Sequence, residues 1–236
     1  HTLSILRQRG FVEQNHNGNY RLGRAALSLA NTHLHDDSFC QMHGALKNFS
    51  LAIDEICHMG ILVGEEIVYV HKIVPKTSVN TCWSTVGFRD PALTTALGRA
   101  IVSQTYIDFE SFAQAFPTPI FQRTHHTLST LKEIWQEMVI ARKRGFAREV
   151  NEYVVGTSCL SVALLRRHKP IAAISITCPT ERLGVQREQS LLRSLHEDLA
   201  PLLPRGLSLQ MPVEPRFGCG PVTRKVVSRI SAFAGR

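Results

Sequence analysis

Two spacings of hydrophobic residues divide this chain into helices and strands. Apolar residues that return every three or four positions predict helices, and they do so over 24–35, 41–56, 93–103, 127–144 and 183–203. Short apolar or alternating runs bounded by turn residues predict strands, three of them between 58 and 83 and three between 146 and 177. We therefore expect an α+β fold with a six-stranded, mainly antiparallel sheet flanked by helices.

The first 23 residues have the pattern that closes a winged helix-turn-helix. Leu3 and Leu6 lie on one side of a helix that Gly10 is expected to end, and two short strands follow around the polar turn at 15–18. In such a unit the last helix and the hairpin tip contact DNA. The residues expected to face DNA are Thr2, Arg7, Arg9, Asn17 and Arg21.

A complete winged helix-turn-helix has two further helices upstream of this segment. The sequence also opens on His rather than Met, so we expect it to be part of a longer protein. The helix predicted over 24–35 follows directly and has a broad apolar side. We expect this helix to connect two domains and to serve dimerisation.

Small hydroxylated side chains recur on the last two predicted strands. Ser158, Ser161, Ser175 and Thr177 occur where a core strand would carry Val or Leu. Such a face leaves volume and offers hydrogen bonds to a small polar ligand. An ordinary hairpin whose serines face water would give the same pattern, so both interpretations stay open.

The helix predicted over 93–103 adds a second candidate feature. Thr94 or Thr95 is a plausible N-cap, and Gly98 would allow close packing against the sheet. The N-terminus of a helix presents free N–H groups and a partial positive charge, which bind carboxylates and phosphates.

Charge is distributed unevenly along the 236 residues. The net charge is +8, of which residues 1–35 contribute +3 and residues 205–236 contribute +5, so that the middle is neutral. A neutral body with basic ends fits a sensor with parts that face nucleic acid, although basic ends are also common in solvated tails. No apolar run reaches the length of a membrane span and no signal peptide opens the chain. The sequence therefore predicts a cytoplasmic protein without membrane contact.

The cysteines and histidines do not form a recognisable reactive or metal-binding motif. The six cysteines are scattered singly, which excludes a zinc ribbon and a thioredoxin-type motif. An enzyme would need Cys159 as nucleophile with a base such as His58, His71 or His168, and nothing in their spacing supports this. Adjacent histidines such as those at 125 and 126 rarely bind one metal ion. We predict no catalytic residue, no metal and no cofactor.

Several motifs occur together in one order along the chain. They are RQRGFV, YRLG, ALTTALGRA, RKRGFA, VGTSCLSVALL and PIAAISITCPTERL. In this order they resemble the IclR family of bacterial transcription regulators, over most of residues 1–203. The resemblance implies an N-terminal winged helix-turn-helix, a linker helix and a GAF/PAS-like effector-binding domain. We expect the remnant of the first at 1–23, the linker at 24–40, the effector domain at 41–204, and a basic, mostly disordered tail at 205–236.

The resemblance also implies a ligand site and a function. In that family a small ligand, often a carboxylate, lies between the sheet and the N-terminal end of the LGRA helix. Matched motif to motif, the effector-binding residues would be Val79, Ala96, Leu97, Glu149, Thr157, Cys159, Ser175 and Thr177. An ionised Glu149 would repel an acid, so it must accept bonds from ligand hydroxyls, bind a water, or be protonated.

The function implied is that of a regulator that senses a small organic acid. The full-length protein would bind double-stranded operator DNA as a homodimer or homotetramer. A stand-alone sensor domain that does not bind DNA is the alternative.

Overall fold

The computed structural model of the chain describes residues 1–34, 37–78 and 84–213. Its α-helices are α1 (Thr2–Gln8), α2 (Ala25–Leu34), α3 (Asp37–Ile53), α4 (Ala96–Thr105), α5 (Phe109–Ala115), α6 (Leu131–Arg144) and α7 (Val185–Ser194). Its strands are β1 (Val12–Gln14), β2 (Tyr20–Leu22), β3 (Ile56–Val63), β4 (Glu66–Ile73), β5 (Arg89–Pro91), β6 (Ala147–Val150), β7 (Thr157–Arg166), β8 (Lys169–Pro179) and β9 (Leu207–Leu209). Across these ranges, no helix combines the length and apolar character needed to cross a bilayer.

One antiparallel sheet organises the larger part of the described chain. Its strands run in the order β5-β4-β3-β8-β7-β6, and β9 pairs with the far end of β7. Strands β1 and β2 form a separate hairpin beside α1. The α+β class and the antiparallel sheet are therefore confirmed.

Among the described residues the sheet has seven strands, of which five were predicted and two, β5 and β9, were not. The sequence did not indicate β5, because a three-residue Arg-Asp-Pro strand has no hydrophobic alternation. It did not indicate β9 either, which lies in the stretch 205–236 that was expected to be mostly disordered. That expectation is wrong for Leu207–Leu209, whose backbone pairs with β7. The strand predicted over 78–83 falls, apart from its first residue, outside the described residues.

The two faces of the sheet carry different side chains because residues alternate along each strand. On β7 and β8, Leu160, Val162, Ile174 and Ile176 point to the face covered by α3 and α7. The intervening positions hold small or polar residues, and they face α4, α5 and α6. This alternation places Ser161, Ser175 and Thr177 on the α4 side of the sheet. Ser158 lies on the other face, with Leu160 and Val162, and its hydroxyl is 2.9 Å from that of Thr180.

Helix α4 packs so closely against the turn before it that only glycine fits at position 98. A 3-10 turn, Ala92–Thr94, precedes the helix, and Thr95 caps it by accepting a hydrogen bond from the Gly98 N–H at 3.0 Å. A Cβ atom on Gly98 would lie 2.0 Å from the Ala92 carbonyl oxygen. The expected close packing at Gly98 is thus directed at the preceding turn.

Three other predicted helices are present with different bounds. The helix expected over 41–56 begins earlier, at Asp37, and ends at Ile53. Helix α6 begins at Leu131, because Thr130 and Glu133 form a capping box there. The helix expected over 183–203 is α-helical only to Ser194, after which a π turn and a 3-10 turn containing Pro201 follow.

Candidate functional site

A small cavity of about 30 Å³ lies between the sheet and the start of α4. Its lining residues are His58, Tyr69, Ser84, Thr95, Ala96, Leu97, Glu149, Tyr153, Thr157, Cys159, Ser175 and Thr177. The structure therefore brings together seven of the eight residues that the family resemblance implied for a ligand site. The eighth, Val79, lies outside the described residues.

A row of polar side chains crosses four strands at the floor of the cavity. Strand pairing sets Glu149 opposite Cys159 and Cys159 opposite Thr177. The Cys159 Sγ lies 3.2 Å from the Thr177 Oγ1, which lies 3.4 Å from His58 Nδ1. The other ring nitrogen of His58, Nε2, is 2.9 Å from the Ser84 hydroxyl. The register of the strands thus aligns residues that are distant in sequence into one polar row.

Glu149 is the acidic end of this row, and it is almost fully buried. Backbone N–H groups of Glu152 and Tyr153 each donate to its Oε1 at 2.8 Å. Burial raises the pKa of Glu149 to about 7, although the hydrogen bonds from Tyr153 and Cys159 partly oppose that rise. Near neutral pH the carboxyl group therefore exists in both its protonated and its ionised form.

The histidine on the floor, His58, carries no charge at neutral pH. Burial lowers its pKa to about 3, and the nearby Lys72 ammonium lowers it further. Among the described lining residues there is no lysine or arginine. The groups in this lining that can offer positive charge directly to a ligand are therefore backbone N–H groups.

The N-terminus of α4 supplies such N–H groups. Ala96 and Leu97 are the first two helical residues, and N–H groups at such positions have no acceptor within their helix. The helix is held in place by Arg99, whose Nε donates to the Leu93 carbonyl at 2.8 Å and whose guanidinium pairs with Glu152. Because Arg99 is completely buried, the helix terminus has a fixed position above the polar row.

The outer wall of the cavity is built on Asp90, a buried residue of β5. The hydroxyl groups of Tyr69 and Tyr153 both donate to Asp90 Oδ2, at 3.1 and 2.8 Å. The Arg123 guanidinium pairs with the same carboxylate and lies 4.2 Å from the centre of the Tyr153 ring. Burial raises the pKa of Asp90, and the bonds from Tyr153, Arg123 and Tyr69 counteract that rise.

A separate surface carries the residues that were expected to face DNA. All five, Thr2, Arg7, Arg9, Asn17 and Arg21, are exposed on α1 and the β1–β2 hairpin. Arg7 donates to the Gln14 side chain at 2.9 Å, and Arg21 forms an ion pair with Glu13 at 2.7 Å. The helix and the hairpin, both expected from the sequence, are thus in contact with each other.

A model of the family described as bacterial transcriptional regulator IclR C-terminal matches residues 33–200. This chain belongs to the IclR family. The resemblance seen in the sequence motifs is therefore confirmed.

Relatives and solved structures agree with this membership. The IclR-family chain is 28% identical to the HTH-type transcriptional regulator KdgR of Dickeya chrysanthemi over 153 residues, which are 64% of this chain and 49% of KdgR. It is 27% identical to XynR of Escherichia coli over 185 residues, 77% of this chain and 72% of XynR. These relatives are regulators, and the prediction that the chain is not an enzyme is confirmed by them.

Two crystal structures of IclR proteins share the fold. One, from Silicibacter sp. TM1040, has a TM-score of 0.76 at 20% identity and covers 89% of this chain and 85% of its own. Another, an IclR homologue from Microbacterium hydrocarbonoxydans in complex with 4-hydroxybenzoate, has a TM-score of 0.63 at 16% identity and covers 84% and 82%.

Sequence reasoning missed five lining residues of this IclR-family site, His58, Tyr69, Ser84, Thr95 and Tyr153. Thr95 was recognised as a possible helix cap, and it also lines the cavity. His58 was considered only as a catalytic base. A polar residue on an otherwise apolar strand was the signal for His58, whereas Tyr69 and Tyr153 meet only through Asp90, which no local pattern indicates.

Proposed function

We propose that this chain belongs to a transcription regulator that binds operator DNA and responds to a small carboxylate held in the cavity beside α4. The observation that carries the proposal is the convergence of seven expected residues around one helix N-terminus and one polar row. Family membership supports the regulatory role.

The chemistry of the cavity favours an acid that also carries a hydroxyl group. The carboxylate would accept bonds from the Ala96 and Leu97 N–H groups, where the helix supplies partial positive charge. A ligand hydroxyl would donate to Glu149 in its ionised form, and Ser175 and Thr177 would bond to the remainder. This division keeps the ligand carboxylate away from Glu149. The 4-hydroxybenzoate bound by the Microbacterium homologue has both groups, which supports this class of effector.

The exposed unit at the N-terminal end supports the DNA-binding part of the proposal. Arg7 and Arg9 on α1 and Asn17 at the hairpin tip lie on its surface, where contacts to phosphates would orient the protein on DNA. We expect a cytoplasmic location, since the role requires access to DNA.

Helix α2 supports self-association of the full-length protein. Leu27 and Leu29 on this helix are 71% and 61% exposed, and Leu22 on the preceding strand is 80% exposed. Apolar side chains this exposed favour contact with a second copy, so we expect a homodimer or homotetramer. Light scattering at micromolar concentration checks this, and a monomer would contradict it.

A ligand screen followed by a DNA shift tests the proposal as a whole. Thermal-shift measurements over small organic acids, with and without hydroxyl groups, should find stabilising ligands among the hydroxylated acids. The ligand found should then alter the electrophoretic shift of DNA from upstream of the gene by the full-length protein. Ligand binding without any specific shift would instead establish a stand-alone sensor, and no stabilisation by any acid would refute the proposed effector class.

A further inference from the structure

The cavity beside α4 is too small for the ligand proposed for it. At about 30 Å³ it has room for one or two water molecules, whereas cavities that hold small organic ligands are roughly 300–1,000 Å³. A wall of the cavity must therefore move before an organic acid can enter. Among the described residues, the contacts of each wall indicate which one is able to move.

The floor of the cavity is fixed by strand pairing. Cys159, Thr177 and Ser175 lie on β7 and β8, each of which is paired with strands on both sides. Moving these residues would break the sheet itself.

The α4 wall is fixed by buried contacts. Arg99 ties the helix to Leu93 and to Glu152 from a completely buried position. The Gly98 contact with the turn at Ala92 leaves no space for the helix to shift.

The two tyrosines of the outer wall differ in their surroundings. Tyr69 is 6% exposed on β4 and packs against the rings of His58 and Phe88. Tyr153 is only partly buried, and it lies in the connection between β6 and β7 next to the exposed Val154 and Val155. The Tyr153 ring therefore lies at the boundary between the cavity and solvent.

The backbone at Tyr153 is anchored by hydrogen bonds, whereas its side chain contacts the buried Asp90 and the partly exposed Arg123. The Tyr153 N–H donates to Glu149, and the adjacent Glu152 pairs with Arg99. The contacts of the side chain include the hydrogen bond to Asp90 at 2.8 Å and the guanidinium of Arg123 over the ring. A side-chain rotation can therefore open the cavity without disturbing the loop.

We propose that the Tyr153 side chain is the gate of the cavity and that its hydrogen bond to Asp90 holds the gate closed. The gate would control which ligands reach the N-terminus of α4. This inference rests on the proposed function, which places the effector at that helix terminus. Tyr153 is thus an access-determining residue that the sequence did not reveal.

The thiol of Cys159 provides a reporter of gate opening that needs no effector. Cys159 lines the cavity and is partly exposed, whereas Cys57 and Cys178 are buried. Burial also raises the pKa of each of these two thiols to about 12, which keeps them unreactive. The rate of alkylation by iodoacetamide, measured at each cysteine by peptide mass spectrometry, therefore separates local opening from unfolding.

The experiment compares wild type with Tyr153→Phe, Tyr153→Ala and the control Tyr106→Phe in the whole chain. We expect Tyr153→Phe to raise the alkylation rate of Cys159 about tenfold, at the lower end of what one hydrogen bond to a carboxylate is worth. Tyr153→Ala should react at least as fast, and Tyr106→Phe should match wild type.

Two results would overturn the gate. One is a wild-type alkylation rate at Cys159 in both Tyr153 variants. The other is an equal acceleration at Cys57 and Cys178, which would assign the effect to unfolding. Because no effector is used, either result would leave the proposed function standing, and failure of the ligand screen would leave the gate standing.

Discussion

Replacing Glu149 by glutamine should change how the stability of the protein depends on pH. The pKa of this carboxyl group is raised from its ordinary value of 4.5 to about 7, first because it is buried. The folded protein therefore holds the proton more tightly than the unfolded chain does. It follows that Glu149 stabilises the fold fully below pH 4.5 and that this contribution is lost as the pH rises towards 7.

The size of the effect follows from the difference between the two pKa values. Each unit of pKa difference corresponds to ~1.4 kcal/mol, so the contribution lost amounts to about 3 kcal/mol. Glutamine keeps the shape of the side chain and an oxygen that can accept the N–H groups of Glu152 and Tyr153, but it does not titrate. The free energy of unfolding of Glu149→Gln minus that of wild type should therefore increase by about 2 to 3 kcal/mol between pH 5 and pH 8.

Urea denaturation at half-unit steps between pH 5 and pH 8 measures this difference. Glu65→Gln, which changes an exposed glutamate, is the matched control and should follow wild type throughout. A constant difference between Glu149→Gln and wild type across this range would refute the reasoning, because it would mean that Glu149 has the same pKa in the folded and unfolded chain.

Three further predictions concern other contacts of the site. Ser175→Ala should weaken binding of the acid found in the screen by about 0.5–1.5 kcal/mol in calorimetry, the usual net value of one hydrogen bond; unchanged affinity would remove Ser175 from the site. Glu152→Ala should lower the free energy of unfolding by about 3–5 kcal/mol, since it leaves Arg99 buried without its partner; a loss below about 1 kcal/mol in urea would contradict the pairing. Gly98→Ala should cost about 2 kcal/mol or more, because the new Cβ would lie 2.0 Å from the Ala92 carbonyl oxygen; a melting temperature equal to that of wild type would show that the turn relaxes freely.

Local patterns were sufficient to find the long elements of the fold. Strands β7 and β8 are ten and eleven residues long and lie on either side of a basic turn, and α6 has both a capping box and a terminal Gly145 in the left-handed conformation. Short elements carry too few residues for a period to be recognised. This is why β5 and β9 were missed, and why Leu207–Leu209 was taken for part of a disordered tail.

Sequence motifs predicted which residues belong to the site, but they did not predict how those residues are arranged in space. The hydroxylated residues on β7 and β8 and the start of α4 were found from sequence, but their distances depend on strand register. The Tyr153–Asp90 contact joins residues 63 positions apart, and neither lies in a periodic segment. Contacts of that kind follow from the packed fold and from no local signal.

The central claim is that a carboxylate binds at the N-terminus of α4, and isothermal titration of Ala96 variants tests it most directly. Ala96→Asp places a negative charge beside the Ala96 and Leu97 N–H groups, where an aspartate is compatible with the helix. Ala96→Asn adds the same bulk without the charge, and thermal melting of both variants verifies that they fold. We predict that Ala96→Asp shows no detectable binding of the acid found in the screen, while Ala96→Asn retains part of the wild-type affinity. Wild-type affinity in Ala96→Asp would contradict the account and would mean that the ligand binds elsewhere.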